Sequence, residues 1–188
     1  MGGLAVVALL SAAACSGSAG HSRPTVQASS PASASLTAYT ASWLHFRYPA
    51  AWTAHVGYNV INTIYGVDLV LSNQAMHNPC HTDGCGWPVN DLGPDGVFVE
   101  WADQAYPGGE NMSRSFGAPV TVGGRPSRQE VSRPGGCSAI GGTETISLQV
   151  PDDKYNIYAV TACVRGPDLD RTVGQVQALI DSVSFPRP

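Results

Sequence analysis

The sequence predicts an α+β fold: a twisted antiparallel sheet with a C-terminal helix packed on it. Three observations predict it. Residues 143–150 alternate apolar and polar side chains, and after a turn the β-branched and aromatic stretch 155–164 returns, as a half-buried antiparallel hairpin does. Leu169, Val173, Val176, Ile180 and Val183 recur at spacings of 4, 3, 4 and 3, a single apolar stripe of helical period. The strand-like segments come as a run before that helix and do not alternate with helices, which argues against a parallel α/β sheet.

Taken in order, the chain opens on an apolar run, residues 4–14, that ends in Ala12-Ala13-Ala14 against Cys15. The run is too short to cross about 30 Å of hydrocarbon, which takes roughly 20 apolar residues. It reads as the apolar core of an export signal. Small residues before a cysteine resemble the lipobox of bacterial lipoproteins. That resemblance implies a diacylglycerol on the Cys15 thiol, cleavage just before it, and anchoring at the extracytoplasmic face of the cell membrane. The alternative is an ordinary secretory signal cut after Ala12-Ala13-Ala14, which releases a soluble chain. Residues 16–42 are rich in Ser, Ala, Thr and Pro and lack a sustained apolar period. Such a stretch buries too little surface to offset its ordering entropy. Residues 1–14 are therefore expected to be the signal, 15–42 a lipidated cysteine with a disordered tether, and 43–188 one folded domain.

Ten Lys and Arg against 14 Asp and Glu give a net charge of −4. With no basic cluster, the chain lacks the electrostatic footprint of a nucleic-acid binder. Only one lysine, Lys154, and a bias to Ala, Gly, Pro and Ser point to a high-GC, actinobacterial-type coding sequence.

The first expected strand is residues 43–48, with Leu44, Phe46 and Tyr48 on one face and Pro49 ending it, because proline lacks the ladder donor. Residues 51–56 are its expected return strand. Residues 64–72 follow, with Val67, Leu69 and Leu71 on one face and Asp68 and Val70 on the other. Residues 97–101 form a strand after the turn Pro94-Asp95-Gly96. A second helix is weighed for residues 102–114, with Pro107, Gly108 and Gly109 against a long one. The hairpin 143–164 turns at Pro151-Asp152-Asp153-Lys154. The closing helix starts at Gly166-Pro167-Asp168, with Asp168 or Gly166 as cap and Asp170 favourable in the first turn. Ser184-Phe185-Pro186 ends it.

The stretch His45-Phe46-Arg47-Tyr48-Pro49-Ala50-Ala51-Trp52 and the helix end Asp181-Ser182-Val183-Ser184-Phe185 resemble the PsbP/Mog1-like sandwich. The resemblance implies a scaffolding or binding role more than catalysis, and it carries over no functional residue.

Four further cysteines, Cys80, Cys85, Cys137 and Cys163, form an even set, which outside the cytoplasm reads as disulfides. Of three pairings, Cys80–Cys85 and Cys137–Cys163 are favoured. The first pins a loop that Pro79 and Gly84 already bend. The second ties a hairpin strand to the loop before its partner. The rival is zinc on His77, Cys80, His81 and Cys85, disfavoured because these spacings do not repeat the familiar paired pattern. No metal and no cofactor are expected.

No hydrolase elbow, dinucleotide fingerprint or phosphate loop is present. Glu100 and Asp103, with Glu110 further on, could serve an acid–base centre only if one were buried with a raised pKa. Trp87, His81 and Glu100 are the candidate binding residues. Trp87, beside Pro88 in a loop, is the indole least expected in the core, while Trp43, Trp52 and Trp101 are expected to pack. The expected function is therefore non-enzymatic: an exported, membrane-tethered lipoprotein whose domain binds an envelope protein or component. Rivals are an exported cell-envelope hydrolase, centred on Glu100/Asp103 or the His77/His81 loop, and a carrier of a small apolar ligand between helix and sheet.

Overall fold

The computed structural model describes residues 35–57, 65–78, 80–81, 84–105, 116–153 and 155–186. The chain divides into two units, Met1–Ala32 and Ser33–Pro188. The first, with the export segment and Cys15, lies outside the described residues.

The second unit is an α+β domain built on seven antiparallel strands in the order β3-β4-β7-β11-β10-β9-β8. These are β3 (Thr53–Val56), β4 (Tyr65–Ser72), β7 (Val97–Ala105), β8 (Ala118–Val122), β9 (Arg125–Ser132), β10 (Glu144–Pro151) and β11 (Asn156–Val164). A two-stranded ribbon of β1 (Leu36–Thr40) and β2 (His45–Pro49) packs with the helix α1 (Leu169–Asp181) over one face. A short pair, β5 (Cys80–His81) and β6 (Gly84–Cys85), precedes β7.

The hairpin β10–β11 is as expected. Ile146 faces Ala162 and Leu148 faces Val160, all buried on the helix side of the sheet. The helix also follows its stripe, with Val176, Leu179 and Ile180 buried and Leu169 and Val173 at the edge. Asp168 caps it by accepting the Arg171 backbone N–H, which satisfies one of the four donors that a helix start leaves open. The turn Gly123-Gly124 joins β8 to β9 with both residues at positive φ, 57° and 82°, the region a two-residue type I′ hairpin turn requires.

Four expectations need correction. Residues 36–40, assigned to the tether, form β1, because every residue of that strand pairs with β2 from Leu36↔Pro49 to Thr40↔His45. Residues 53–56 do not return against β2. They pair with β4 at the edge of the large sheet, since the tight turn after Pro49 carries the chain away. Val67 does not share a face with Leu69. A register shift between them inserts Asp68 as an extra residue, so Val67 joins Val70 on the opposite face. The weighed second helix is overtaken at its start by β7, which continues to Ala105, and its remainder, from residue 106, lies outside the described residues.

The sheet is buried on both faces. The helix-side core holds Phe46, Trp101 and Leu179, and the other face holds Val70, Leu92, Phe98, Ile140 and the Cys137–Cys163 bridge. That second face is covered by the segment 84–96 and a 3-10 turn, Gly135–Ile140. No helix among the described residues is long and apolar enough to cross a membrane.

Candidate functional site

The predicted site residues part company in the fold. Cys137 and Cys163 are joined by a disulfide across 26 residues, both fully buried. For Cys80 and Cys85 the backbone places the two directly opposite in β5–β6. Their side chains, and that of His81, lie outside the described residues, as do Cys15, His21 and Glu110. The zinc set therefore contributes only His77, whose backbone N–H donates to the Pro88 carbonyl. Among the described residues no group of three or more His, Cys, Asp or Glu side chains is placed to hold a metal ion.

Trp87 and Glu100 do come together, but inside the molecule. Trp87 is half-buried against Phe98 at 5.7 Å between ring centres, because the segment before β7 folds back over the sheet. Its exposure is thus less than its loop setting suggests. Glu100 is 7% exposed on that face. Its carboxylate accepts hydrogen bonds from the Tyr65 hydroxyl and from Trp87. Burial raises its pKa, and these two donors hold it down against that. Asp103 cannot join it as an acid–base pair. Three residues apart on one strand, the two carboxyls leave from opposite faces.

Asp103 instead meets Asp68 at the end of the helix-side face. Burial, and then the nearby Asp103 carboxylate, push the Asp68 pKa up to about 6, although Asp68 also accepts the Asp103 backbone N–H. Asp103 is itself raised, by burial and then by Asp152 and Asp153. A carboxyl with a raised folded pKa binds protons that the unfolded chain has already lost. Stability therefore falls as pH rises from about 4 to about 6, the window between the unfolded and folded values of Asp68. Thermal melting should rise as pH is lowered from 7 to 5. Asp68→Asn should raise the melting temperature at pH 7 and flatten most of that slope; an unchanged slope in calorimetry would count against this assignment.

One concave feature among the described residues lies elsewhere, between α1 and the β1–β2 ribbon. It is a groove of about 500 Å³ lined chiefly by apolar surface, including Leu36, Pro49, Ala178 and Leu179. A smaller hollow of about 270 Å³ adjoins it and shares Pro49, Arg171 and Gln175. The groove's walls are fixed at one end. The His45 and Ser184 backbones exchange two hydrogen bonds of 2.9 and 2.8 Å. The Arg47 N–H donates to Ser182 Oγ at 2.8 Å. Helix and ribbon are thus held together at the helix C-terminus. Between them Gly174 and Ala178, one turn apart on α1, present too little side chain to close the space.

Four polar residues rim this groove. Arg171 is engaged, with Asp95 at 2.7 Å and Asp168 at 2.9 Å. Ser182 Oγ is tied to Arg47 and the Leu179 carbonyl. The Gln175 side-chain oxygen is buried with no partner among the described residues. Arg47 is exposed and enters no ion pair among the described residues. Position along the chain singles out none of these four residues. Two signals do point here: Leu36, a lone large apolar residue in a polar stretch, and the small residues Gly174 and Ala178 in the helix.

No family model matches this chain, and no curated protein matches it. A solved structure from Bacteroides thetaiotaomicron VPI-5482 is similar at 10% identity, with a TM-score of 0.39, over 77% of this chain and 46% of that one. The chain therefore spans less than half the length of the protein in that structure.

Proposed function

We propose that this chain is an exported, lipid-anchored binding protein whose domain holds a small ligand in the groove between α1 and the β1–β2 ribbon. The observation that carries the reading is that groove: about 500 Å³, mostly apolar, with a few polar groups at its rim. Its volume lies within the roughly 300–1,000 Å³ of ordinary ligand sites, and its lining has their usual character. The export segment ending at Cys15 supports the address. A buried Cys137–Cys163 bridge is in keeping with an oxidising compartment. A helix closing over an antiparallel sheet supports a PsbP/Mog1-like reading of the fold, with segment 84–96 and a 3-10 turn in the place of a second helical layer.

A hydrolase centred on Glu100 has less support. Tyr65 and Trp87 occupy its carboxylate, and the groove lies on the other side of the sheet. The Glu100 cluster acts as a latch that holds the 84–96 segment down.

Native mass spectrometry of the chain taken from its own envelope tests the binding reading. Wild type is expected to carry a small-molecule adduct, and Ala178→Trp, which fills the groove from an exposed helix position, is expected to lose it. A wild-type chain without an adduct overturns the reading. For the anchor, Cys15→Ser should move the chain from the detergent-extracted membrane fraction to the soluble extracytoplasmic fraction, because a stable hold takes two or more acyl chains. Retention of the thiol-free chain in membranes would refute lipid attachment at that residue.

A further inference from the structure

The rim of the groove specifies the chemistry of its ligand, an inference that rests on the binding reading above. Six arginines lie among the described residues, and five have occupied guanidinium groups. Arg125 pairs with Asp152, Arg133 with Glu144, Arg165 with Asp91, and Arg171 with Asp95 and Asp168. Arg128 donates to the Phe116 and Gly117 carbonyls. Arg47 is the sixth, and its guanidinium has no partner among the described residues. In a chain of net charge −4, a cation left unpaired beside an apolar groove is the exception.

Arg47 is not loosely placed. Its backbone N–H donates to Ser182 Oγ at 2.8 Å, and that hydroxyl donates its own proton to the Leu179 carbonyl at 2.7 Å. The residue is thereby fixed to the end of the helix that forms the opposite wall. Across from it, Gln175 puts a buried amide oxygen without a donor into the same region. A buried acceptor left alone is costly, and half a turn about its last side-chain bond presents the amide N–H2 in its place. Guanidinium and amide N–H groups together suit a carboxylate, which only accepts hydrogen bonds. The apolar walls behind them suit a hydrocarbon chain.

We propose that the groove binds a free fatty acid, its single acyl chain against Leu36, Pro49, Ala178 and Leu179 and its carboxylate on Arg47. A neutral amphiphile would fill the walls and leave Arg47 unpaired. A cationic one would meet its charge.

The test uses the full chain carrying Cys15→Ser, so that no detergent is needed. It is titrated by calorimetry with dodecanoate, dodecanol and dodecyltrimethylammonium, each below its micellar concentration. Dodecanoate should bind about 10–100-fold more tightly than dodecanol, the worth of a charge-assisted hydrogen bond. Arg47→Gln should bring dodecanoate to the dodecanol level and leave dodecanol unchanged. Ala178→Trp should abolish both; Gly174→Phe, whose Cβ meets open space, serves the same purpose from a second position. Equal affinities for dodecanoate and dodecanol, or an Arg47→Gln variant as tight as wild type, overturn the carboxylate assignment. Dodecanoate binding that survives both groove-filling variants overturns the location. Failure of all three amphiphiles with a native adduct still present sinks the fatty-acid proposal alone, whereas failure with no adduct sinks the binding reading with it.

Discussion

Removing the Cys137–Cys163 bridge by Cys137→Ala with Cys163→Ala is expected to destabilise the domain by about 3–4 kcal/mol. The bridge closes a loop across a sequence separation of 26. A loop of that length restricts the unfolded chain by an amount between the roughly 3 kcal/mol of a 15-residue loop and the roughly 4.7 of a 100-residue loop. Alanine is the right replacement. Both cysteines are fully buried, and a serine would add an unsatisfied hydroxyl to the loss. The bridge also holds the 3-10 turn against β11, and the Cys137 N–H, donating to Thr145 Oγ1 at 3.1 Å, ties the same turn to β10. Urea unfolding with and without a reductant checks this. Wild type should lose this contribution of about 3–4 kcal/mol on reduction, and the double variant should respond only by the smaller amount that the short Cys80–Cys85 loop contributes. Because the bridge lies on the face away from the groove, the folded variant should retain groove binding.

Trp101→Ala is expected to cost about 3–5 kcal/mol, a large share of the 5–15 kcal/mol that holds a typical domain folded. Trp101 is fully buried at the centre of the helix-side core. Its ring lies 6.2–6.4 Å from those of Trp43, Phe46 and Tyr158, which bring strand β2, the turn that joins it to β1, and β11 onto one side chain. Truncation therefore opens a cavity between elements that cannot all collapse into it. Trp101→Phe should cost much less, about 1–2 kcal/mol. It keeps an aromatic ring and deletes the indole N–H, which is buried with no acceptor among the described residues. Chemical denaturation of the two variants side by side decides the matter, and equal losses would mean that the orphan N–H is not a cost in the native protein.

These two sites show how unevenly the sequence reveals its consequences. That Trp101 packs, and that Cys137 can reach Cys163, follows from alternation and from the hairpin turn. The fate of Trp87 does not. A loop position beside Pro88 suggests exposure, but the segment 84–96 folds back so that the indole meets Phe98 and Glu100. Likewise, Glu100 and Asp103 are close in sequence, yet a strand sends them to opposite faces, and only Glu100 is enclosed. The groove was legible only in fragments, because its walls come from residues near 36–49 and 171–182 and its depth depends on how the two pack.

What the sequence by itself determined is the set of elements whose signals are local: the alternating hairpin β10–β11, the amphipathic helix with its Asp168 cap, and the α+β class that follows from their order. Tertiary structure alone decided the rest. The partner of β3, the insertion of Asp68 into β4, the recruitment of residues 36–40 into a ribbon, and the placing of Arg47 beside an apolar groove all depend on contacts between distant segments. The physical reason is that periodicity is fixed by neighbouring residues sharing one backbone conformation, whereas strand order, bulges and grooves are chosen by which long-range packing buries the most apolar surface with its polar groups satisfied.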